Sequence, residues 1–487
     1  MKKHNSIVRS IGLALTLFTV LPAQASFVKA QEYLAEEDHK KALNAFLQSA
    51  KLGHADSQFN AAVIYFQGLS GEKDLIKSFS WMALANEYQF PNSETFAQEI
   101  YASIPAEQQE KAIEYATELV KNYGRQITEA KKLPKIEKSP IAAQVIVTPA
   151  EMVKRGQLTY SGTSSTIAKN EALIRAAIRN GNPDIFYKQV QNLDAGMVEV
   201  QFDVGTDGKA KDWDVLFSWP NNKFVEGTLN AIKESKYTPA KNEFTSVTQY
   251  GLTYHASFGQ TGVNDFRQGY PHIYKTFRSV RRMANDGNPN AKHTYAKLLR
   301  AYKHILDKEN YEDFEAVLKE AAELGQLDAQ YDYAMLNIYV NRQAELGLPW
   351  LIKAAKAGHI QAQGRLGELL LEPPTAYIEQ DLTKAKFWLE LAANQNDFRA
   401  QQKYIEMELL NNNNQDKEFA KQALDWLEDI EDDGEPTPFT YFLLAKVNEI
   451  LDDKGDAKDW MKDAIASAKQ LGWATKDWQA YQESLNN

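Results

Sequence analysis

Gly196-Met197-Val198-Glu199-Val200-Gln201-Phe202-Asp203-Val204 alternates apolar and polar side chains without a break. A period of two is that of a β-strand. Val198, Val200, Phe202 and Val204 share one face, and Glu199, Gln201 and Asp203 share the other, which is expected to meet water. Gly205-Thr206-Asp207-Gly208 carries an Asp-Gly turn signal. A second alternation places Trp213, Val215, Phe217 and Trp219 together, opposite Asp212, Asp214 and Ser218. Pro220 ends that strand. Asn222 is read as a helix N-cap, and Phe224, Leu229 and Ile232 line one face of a short helix through about Ser235. The run Lys236-Tyr237-Thr238-Pro239-Ala240 stops the helix, because proline cannot continue it. A third strand, about Val247 to Phe258, groups Tyr250, Leu252, Tyr254, Ala256 and Phe258, with Gln249, Thr253, His255 and Ser257 opposite. The expected unit is a small antiparallel sheet with one helix, in the order strand, strand, helix, strand.

This unit resembles the C-terminal domain of the TonB family. The resemblance is carried by Gly196, Val198, Val200 and Phe202-Asp203-Val204. Asp207-Gly208, Val215, Ser218, Phe224, Ala231 and Lys236-Tyr237-Thr238-Pro239 continue it. It implies a domain that contacts an extended segment of outer-membrane receptors by adding a strand to its sheet edge. Backbone hydrogen bonds then give affinity and side-chain pockets give selectivity. On this chain the resemblance points to the third strand as the receiving edge, with Val247, Gln249, Tyr250, Leu252 and Tyr254 along it. The side chains of Tyr250, Leu252 and Tyr254 also suit a core beneath the helix, which leaves the backbone edge available. The chain departs from the family in lacking a proline-rich spacer and a Tyr-Pro entry to the first strand. Asn182-Pro183-Asp184 stands in that region, and a long segment follows the domain.

The remainder is periodic. Trp350, Trp388, Trp426 and Trp460 lie 38, 38 and 34 residues apart in similar contexts, and Trp81 adds a fifth copy. Ala50 with Gly53, Ala322 with Gly325, and Ala355 with Gly358 recur in step. Alanines let antiparallel helices approach, and a glycine just past a helix suits its C-terminal cap. Each helix pair is too small to bury its own apolar face, and stacking completes it. Ala50, Gly53-His54, Gln58, Tyr65, Gly68, Asp74 and Trp81 resemble the Sel-like subfamily of tetratricopeptide repeats. So do Ala355, Gly358-His359, Gln363, Gly367, Asp381 and Trp388, and a further start at Gly325-Gln326-Leu327-Asp328-Ala329-Gln330. This resemblance implies protein–protein scaffolding, with the tryptophans as core wedges.

Lys2, Lys3 and Arg9, the apolar run Ile11 to Leu21 and Ala23-Gln24-Ala25 read as a secretory signal cleaved after Ala25. Retention as an uncleaved anchor is the alternative. Together with the TonB-like unit, the expected compartment is the periplasm. Cysteine is absent, so disulfides and thiolate chemistry are excluded. The net charge of −10, or −13 without the three basic residues of the leader, disfavours nucleic acid. The eight histidines are scattered without metal-ligand spacing. No nucleophile elbow surrounds a serine, and Gly205-Thr206-Asp207-Gly208-Lys209 lacks the rest of a phosphate loop.

The expected fold class is mainly α with one α+β module: helical-repeat arrays, an α-solenoid, flanking a small TonB-like antiparallel sheet with one helix. The expected organisation is a signal peptide (1–25), N-terminal Sel-like repeats (26–124), a linker (125–165), the TonB-like module (166–260) and C-terminal Sel-like repeats (272–487). Within the linker, Ile141 to Val147 is a candidate edge strand, and 166–193 reads as helical. Asn411 to Asn414 and the acidic run Glu428 to Glu435 read as solvated loops. The expected function is a non-enzymatic periplasmic adaptor of the TonB type in TonB-dependent transmembrane transport. It would use no cofactor or metal, bind proteins, including TonB-dependent outer-membrane receptors, and touch membranes only through them. A purely structural scaffold or dimerisation protein is the alternative, and an envelope hydrolase a remote one.

Overall fold

The computed structural model describes residues 27–135, 148–158, 195–220, 222–242, 245–258, 266–306, 311–374, 377–434 and 436–485. The signal peptide, the Ile141–Val147 segment and the helical reading of 166–193 lie outside them. The N-terminal array is α1 (Phe27–Ala35), α2 (His39–Lys51), α3 (Ala55–Gln67), α4 (Leu75–Glu87), α5 (Ser93–Ala102), α6 (Ala106–Tyr123) and α7 (Arg125–Lys132). The sheet module is β1 (Glu151–Lys154), β2 (Gly196–Val204), β3 (Ala210–Trp219), α8 (Val225–Glu234), β4 (Lys236–Thr238), β5 (Ala240–Asn242), β6 (Thr245–Val247) and β7 (Gln249–Phe258). The C-terminal array opens with α9 (Pro271–Asn285), α10 (Pro289–Ala301), α11 (Phe314–Glu323), α12 (Leu327–Met335), α13 (Ala344–Lys356) and α14 (Ile360–Leu371). It continues with α15 (Leu382–Ala393), α16 (Phe398–Glu406), α17 (Lys417–Asp433), α18 (Pro438–Ile450), α19 (Lys454–Gln470) and α20 (Lys476–Ser484).

The repeats share one local device. Gly53, Gly325 and Gly358 follow α2, α11 and α13 at φ of 87°, 88° and 90°, a region costly for side chains with a Cβ. Asn396, the residue type that best tolerates this region after glycine, takes the same place after α15 at φ 63°. Five residues on, Gln58, Gln330, Gln363 and Gln401 donate from Nε2 to the carbonyls of Ala50, Ala322, Ala355 and Ala393, at 3.0, 3.1, 3.0 and 3.2 Å. All four glutamines are buried. Each of these carbonyls also accepts from the backbone N–H of the glycine or Asn396, so the glutamine bond is a second one that fixes the next helix against the end of the first. Trp81, Trp388 and Trp426 are buried core wedges, and Trp350 and Trp460 pack half-buried against the same cores.

The two arrays touch. Phe27 N donates to Ala357 O at 2.7 Å, and Trp388 Nε1 donates to Lys132 O at 2.6 Å. Leu52 and Leu133 join the C-terminal core. The stretch read as the start of a linker is therefore helix α7, docked on α15. Further on, β1 pairs with β4, and Thr148 bridges Lys241. The acidic run from Glu428 is also not a loop. Through Asp433 it forms the end of α17, because Leu427 and Ile430 give that helix a buried face.

The principal sheet has the order β3-β2-β7, all antiparallel. Helix α8 covers the face bearing Val198, Val200, Phe202 and Val204, and Phe224 stacks on Phe258 at 4.4 Å between centroids. The helix begins at Val225 with Phe224 at the N-cap, not at Asn222. Two irregularities break the simple alternation. The register skips Leu216, since Glu199 faces Phe217 and Val200 faces Val215. Trp213 and Val215 therefore pack toward α8, whereas Phe217 and Trp219 join Met197 in a core built with α9 and α10. In β7, Gly251 adopts φ 67° beside a register shift. This bulge separates Tyr250 from Leu252 and Tyr254, so the three do not share a face.

Candidate partner-binding site

The face of β2 expected to meet water is buried. Glu199, Gln201 and Asp203 are 6%, 2% and 5% exposed, because the C-terminal array lies over them. Period two gives the strand two distinct faces but does not say what covers each. The signal missed lay in the array: Arg300, Arg365, Arg399 and Lys403 project from the inner helices α10, α14 and α16.

These cations build a charged seam. Arg300 pairs with Glu199, and its guanidinium lies 4.6 Å from the Phe217 ring. Arg365 donates to Gln201 Oε1 at 3.1 Å and pairs with Asp214 and, at 2.9 Å, Glu368. Arg399 bridges Glu368 and Asp212, the latter at 3.1 Å. Lys403 Nζ lies 2.8 Å from Asp212, 2.7 Å from Glu372 and 3.3 Å from Glu406. Burial alone would raise the pKa of Glu199, but Arg300 and His255 hold it below the ordinary range. Burial likewise opposes ionisation of Asp212, which Arg399 and Lys403 hold well below its usual value. Asp203 is pushed well up by burial and by the charge of Asp212. Glu406 is pushed up to about 7, chiefly by burial. Carboxylate oxygens of Asp203, Asp212 and Glu372 lie within 4.8 Å of one another, a grouping able to hold a cation. The Lys403 ammonium already supplies positive charge there.

The seam continues to the ends of the array. Trp219 Nε1 donates to Tyr302 Oη at 3.2 Å at one end. At the other, Ala474 N donates to Asp207 Oδ2 at 3.2 Å, and Trp473 meets Trp213 edge-on. The array thus clasps the sheet from β3 across β2.

On β7 its cover is partial: Pro374 and Tyr339 lie against Gly251, and Tyr250 faces Glu372 and Lys403. Among the described residues β7 pairs only with β2, and its outer edge along residues 249–257 has no strand beside it. Thr253, His255 and Ser257 are exposed. The five residues singled out in the sequence are placed differently from one another. Val247 is not on this strand; it pairs with Ala240 in the β5–β6 hairpin, because the chain turns again before Gln249. Gln249 opens β7 and accepts from Ala150 N at 2.6 Å. Tyr250 lies beside the charged seam, and burial pushes its hydroxyl up to about 12. Leu252 and Tyr254 pack in the α8 core, where Tyr254 Oη accepts from Arg155 Nε at 2.9 Å. The side chains of this set are thus largely internal, and what remains open is backbone.

The opposite edge, β3, also pairs only with β2 among the described residues. It faces a cavity of about 340 Å³ against α12, α14 and α16. Sequence reading did not signal this cavity, which exists only because the array curves over the sheet.

Residues 190–258 match the family described as Gram-negative bacterial TonB protein C-terminal. Residues 55–87, 327–359 and 360–397 match the Sel1 repeat. The chain therefore joins a TonB-type C-terminal domain to Sel1 repeats, both protein-interaction families. The TonB-type family is a periplasmic one. Among solved structures, a Sel1 repeat protein from Oxalobacter formigenes is 20% identical, covering 39% of this chain and 78% of that one at a TM-score of 0.31. Another is c5321, a protective antigen present in uropathogenic Escherichia coli strains and displaying an SLR fold. It is 14% identical over 92% of this chain and 86% of that one, at a TM-score of 0.30. No curated protein matches the chain. No helix among the described residues is long and apolar enough to cross a membrane.

Proposed function

We propose that this protein is a periplasmic adaptor whose TonB-type sheet receives an extended segment of an envelope partner on the outer edge of β7. The observation that carries the reading is the outer edge of 249–257, which has no strand beside it among the described residues, with Thr253, His255 and Ser257 exposed. An exposed edge presents a row of donors and acceptors to an incoming strand. The partners proposed are TonB-dependent outer-membrane receptors, and the setting is their transport cycle. The leader is removed after Ala25, which releases the chain into the periplasm. The repeats hold the sheet rigid, and their outer faces engage further proteins.

The test is titration of the mature chain with extended N-terminal peptides of outer-membrane receptors. The whole chain is needed, because a free sheet module would expose Glu199, Gln201 and Asp203. Saturable binding lost on N-methylating alternate peptide amides is expected. Absence of saturation would remove the strand-addition role. The clasp itself favours a second reading, a structural one, in which β7 edges of two copies pair. It predicts a dimeric solution mass that depends on the same edge.

A further inference from the structure

Where the two arrays meet, Lys51, Lys132 and Lys356 are the last residues of α2, α7 and α13. One lysine at a helix C-terminus suits the dipole and needs no other partner. Here they converge. Lys132 Nζ donates to the Lys51 carbonyl at 3.2 Å and lies 4.8 Å from the Phe387 ring, and Lys356 Nζ lies 5.4 Å from the Tyr88 ring. Burial, then the charges of Lys131, Lys356 and Lys51, push the Lys132 ammonium down to about 8. Lys353 and Lys356 also act together on His54. The carboxylates of this region are occupied elsewhere. Glu129 pairs with Arg125 at 2.8 Å and Glu379 with Lys135 at 3.8 Å. Glu87 accepts from Arg125 N at 2.8 Å, and Asp56 faces His54 at 3.8 Å. Among the described residues, none of Lys51, Lys131, Lys132, Lys353 and Lys356 closes an ion pair. Lys51, Lys131 and Lys353 are exposed.

The reverse holds at the end of α17. Asp425, Glu428, Asp429 and Asp432 recur at helical spacing on one exposed face. Carboxylates four residues apart repel, and the dipole disfavours them at a helix C-terminus. Burial, then Asp425, Asp432 and Asp429, raise the pKa of Glu428, and Asp456 on α19 adds to the effect. The lysines of α17, Lys417 and Lys421, are paired with Asp452 and Glu418. Lys454, Lys458 and Lys462 on α19 pair with none of the four carboxylates among the described residues. The charges that act most on Lys132 are all cations and those on Glu428 all anions, so the two patches do not meet within one chain.

We propose that the lysine junction is a docking surface for a second copy of this chain, which presents the acidic end of its α17. Each patch repels itself, and the other relieves that repulsion; such complementarity orients association. Because the two surfaces differ, the contact is head-to-tail, and it closes into a ring or continues along a row of copies. The inference stands independently of the β7 edge, where pairing of two copies is reciprocal and ends at a dimer.

The test is sedimentation velocity of the mature chain, up to about 100 μM, in about 20 mM and about 500 mM salt. Two charge-reversed variants alter exposed side chains only: Lys51→Glu with Lys131→Glu, and Glu428→Lys with Asp432→Lys. The wild type is expected to form species beyond the dimer in low salt, with association weakened at least about tenfold in high salt. Each variant alone should sediment as a monomer. An equimolar mixture of the two should associate again, because the reversed patches match, and this recovery shows that both variants are folded. A wild type that stays monomeric, association indifferent to salt, variants that associate like the wild type, or a mixture that stays monomeric would each overturn the proposal.

Discussion

Arg300→Met isolates the contact that most directly ties the sheet to the array. Arg300 and Glu199 are 5% and 6% exposed, so the substitution strands a carboxylate away from water. Breaking a buried pair by removing one partner costs about 3–5 kcal/mol. Glu199 keeps one other neighbour, His255, whose Nδ1 lies 3.2 Å from Oε1. The loss is therefore placed at the lower end, about 3 kcal/mol, which multiplies the opening equilibrium by roughly a hundred. Native-state amide exchange in β2 reads that opening locally, without requiring the multi-unit chain to unfold in one step. Adding Glu199→Leu removes both charges together, and an apolar pair in place of a buried ion pair is often neutral or stabilising. The double variant should recover most of the protection. The reasoning fails if Arg300→Met changes β2 exchange less than about threefold, or if the double variant is no better than the single.

Three further outcomes follow from the same geometry. Glu406 is raised to about 7, so between about pH 4.5 and 7 the unfolded chain has released a proton that the folded chain still holds, and stability falls as pH rises. Glu406→Gln should match the wild type near pH 5 and exceed it by about 1–3 kcal/mol at pH 8 in denaturant midpoints; an equal gap at both values would refute this. Gly251→Ala places a Cβ at φ 67° within about 3 Å of Pro374 and Tyr339, and should cost about 1–3 kcal/mol in melting experiments. Trp388→Phe leaves the Lys132 carbonyl without its donor, costs about 1–3 kcal/mol, and should speed tryptic cleavage at Lys131 and Lys132.

The sequence showed the strand faces of β2, the order of the module and the repeat device, because each rests on local periodicity or on a glycine whose backbone is special. Gly53, Gly325 and Gly358 could be recognised without any tertiary contact. The register skips at Leu216 and Gly251 could not, since a bulge is set by what packs on each side of the strand. That is why Tyr250 parted from Leu252, and Phe217 from Val215. The largest miss was the burial of Glu199, Gln201 and Asp203. Polar alternation is the same whether water or a row of arginines meets it, and Arg300, Arg365 and Arg399 are far from β2 along the chain. Val247 went astray for a smaller reason: the β5–β6 hairpin interposes a turn that a run of Thr, Ser and Val does not announce.

Amide exchange on the partner-free mature chain separates the clasped part of the sheet from the part left open. The account predicts slow exchange throughout residues 197–203 of β2, and an alternating pattern with fast, outward-facing amides along residues 250–257 of β7. Uniformly slow exchange along β7 would mean that its outer edge is already sealed, and would contradict the account.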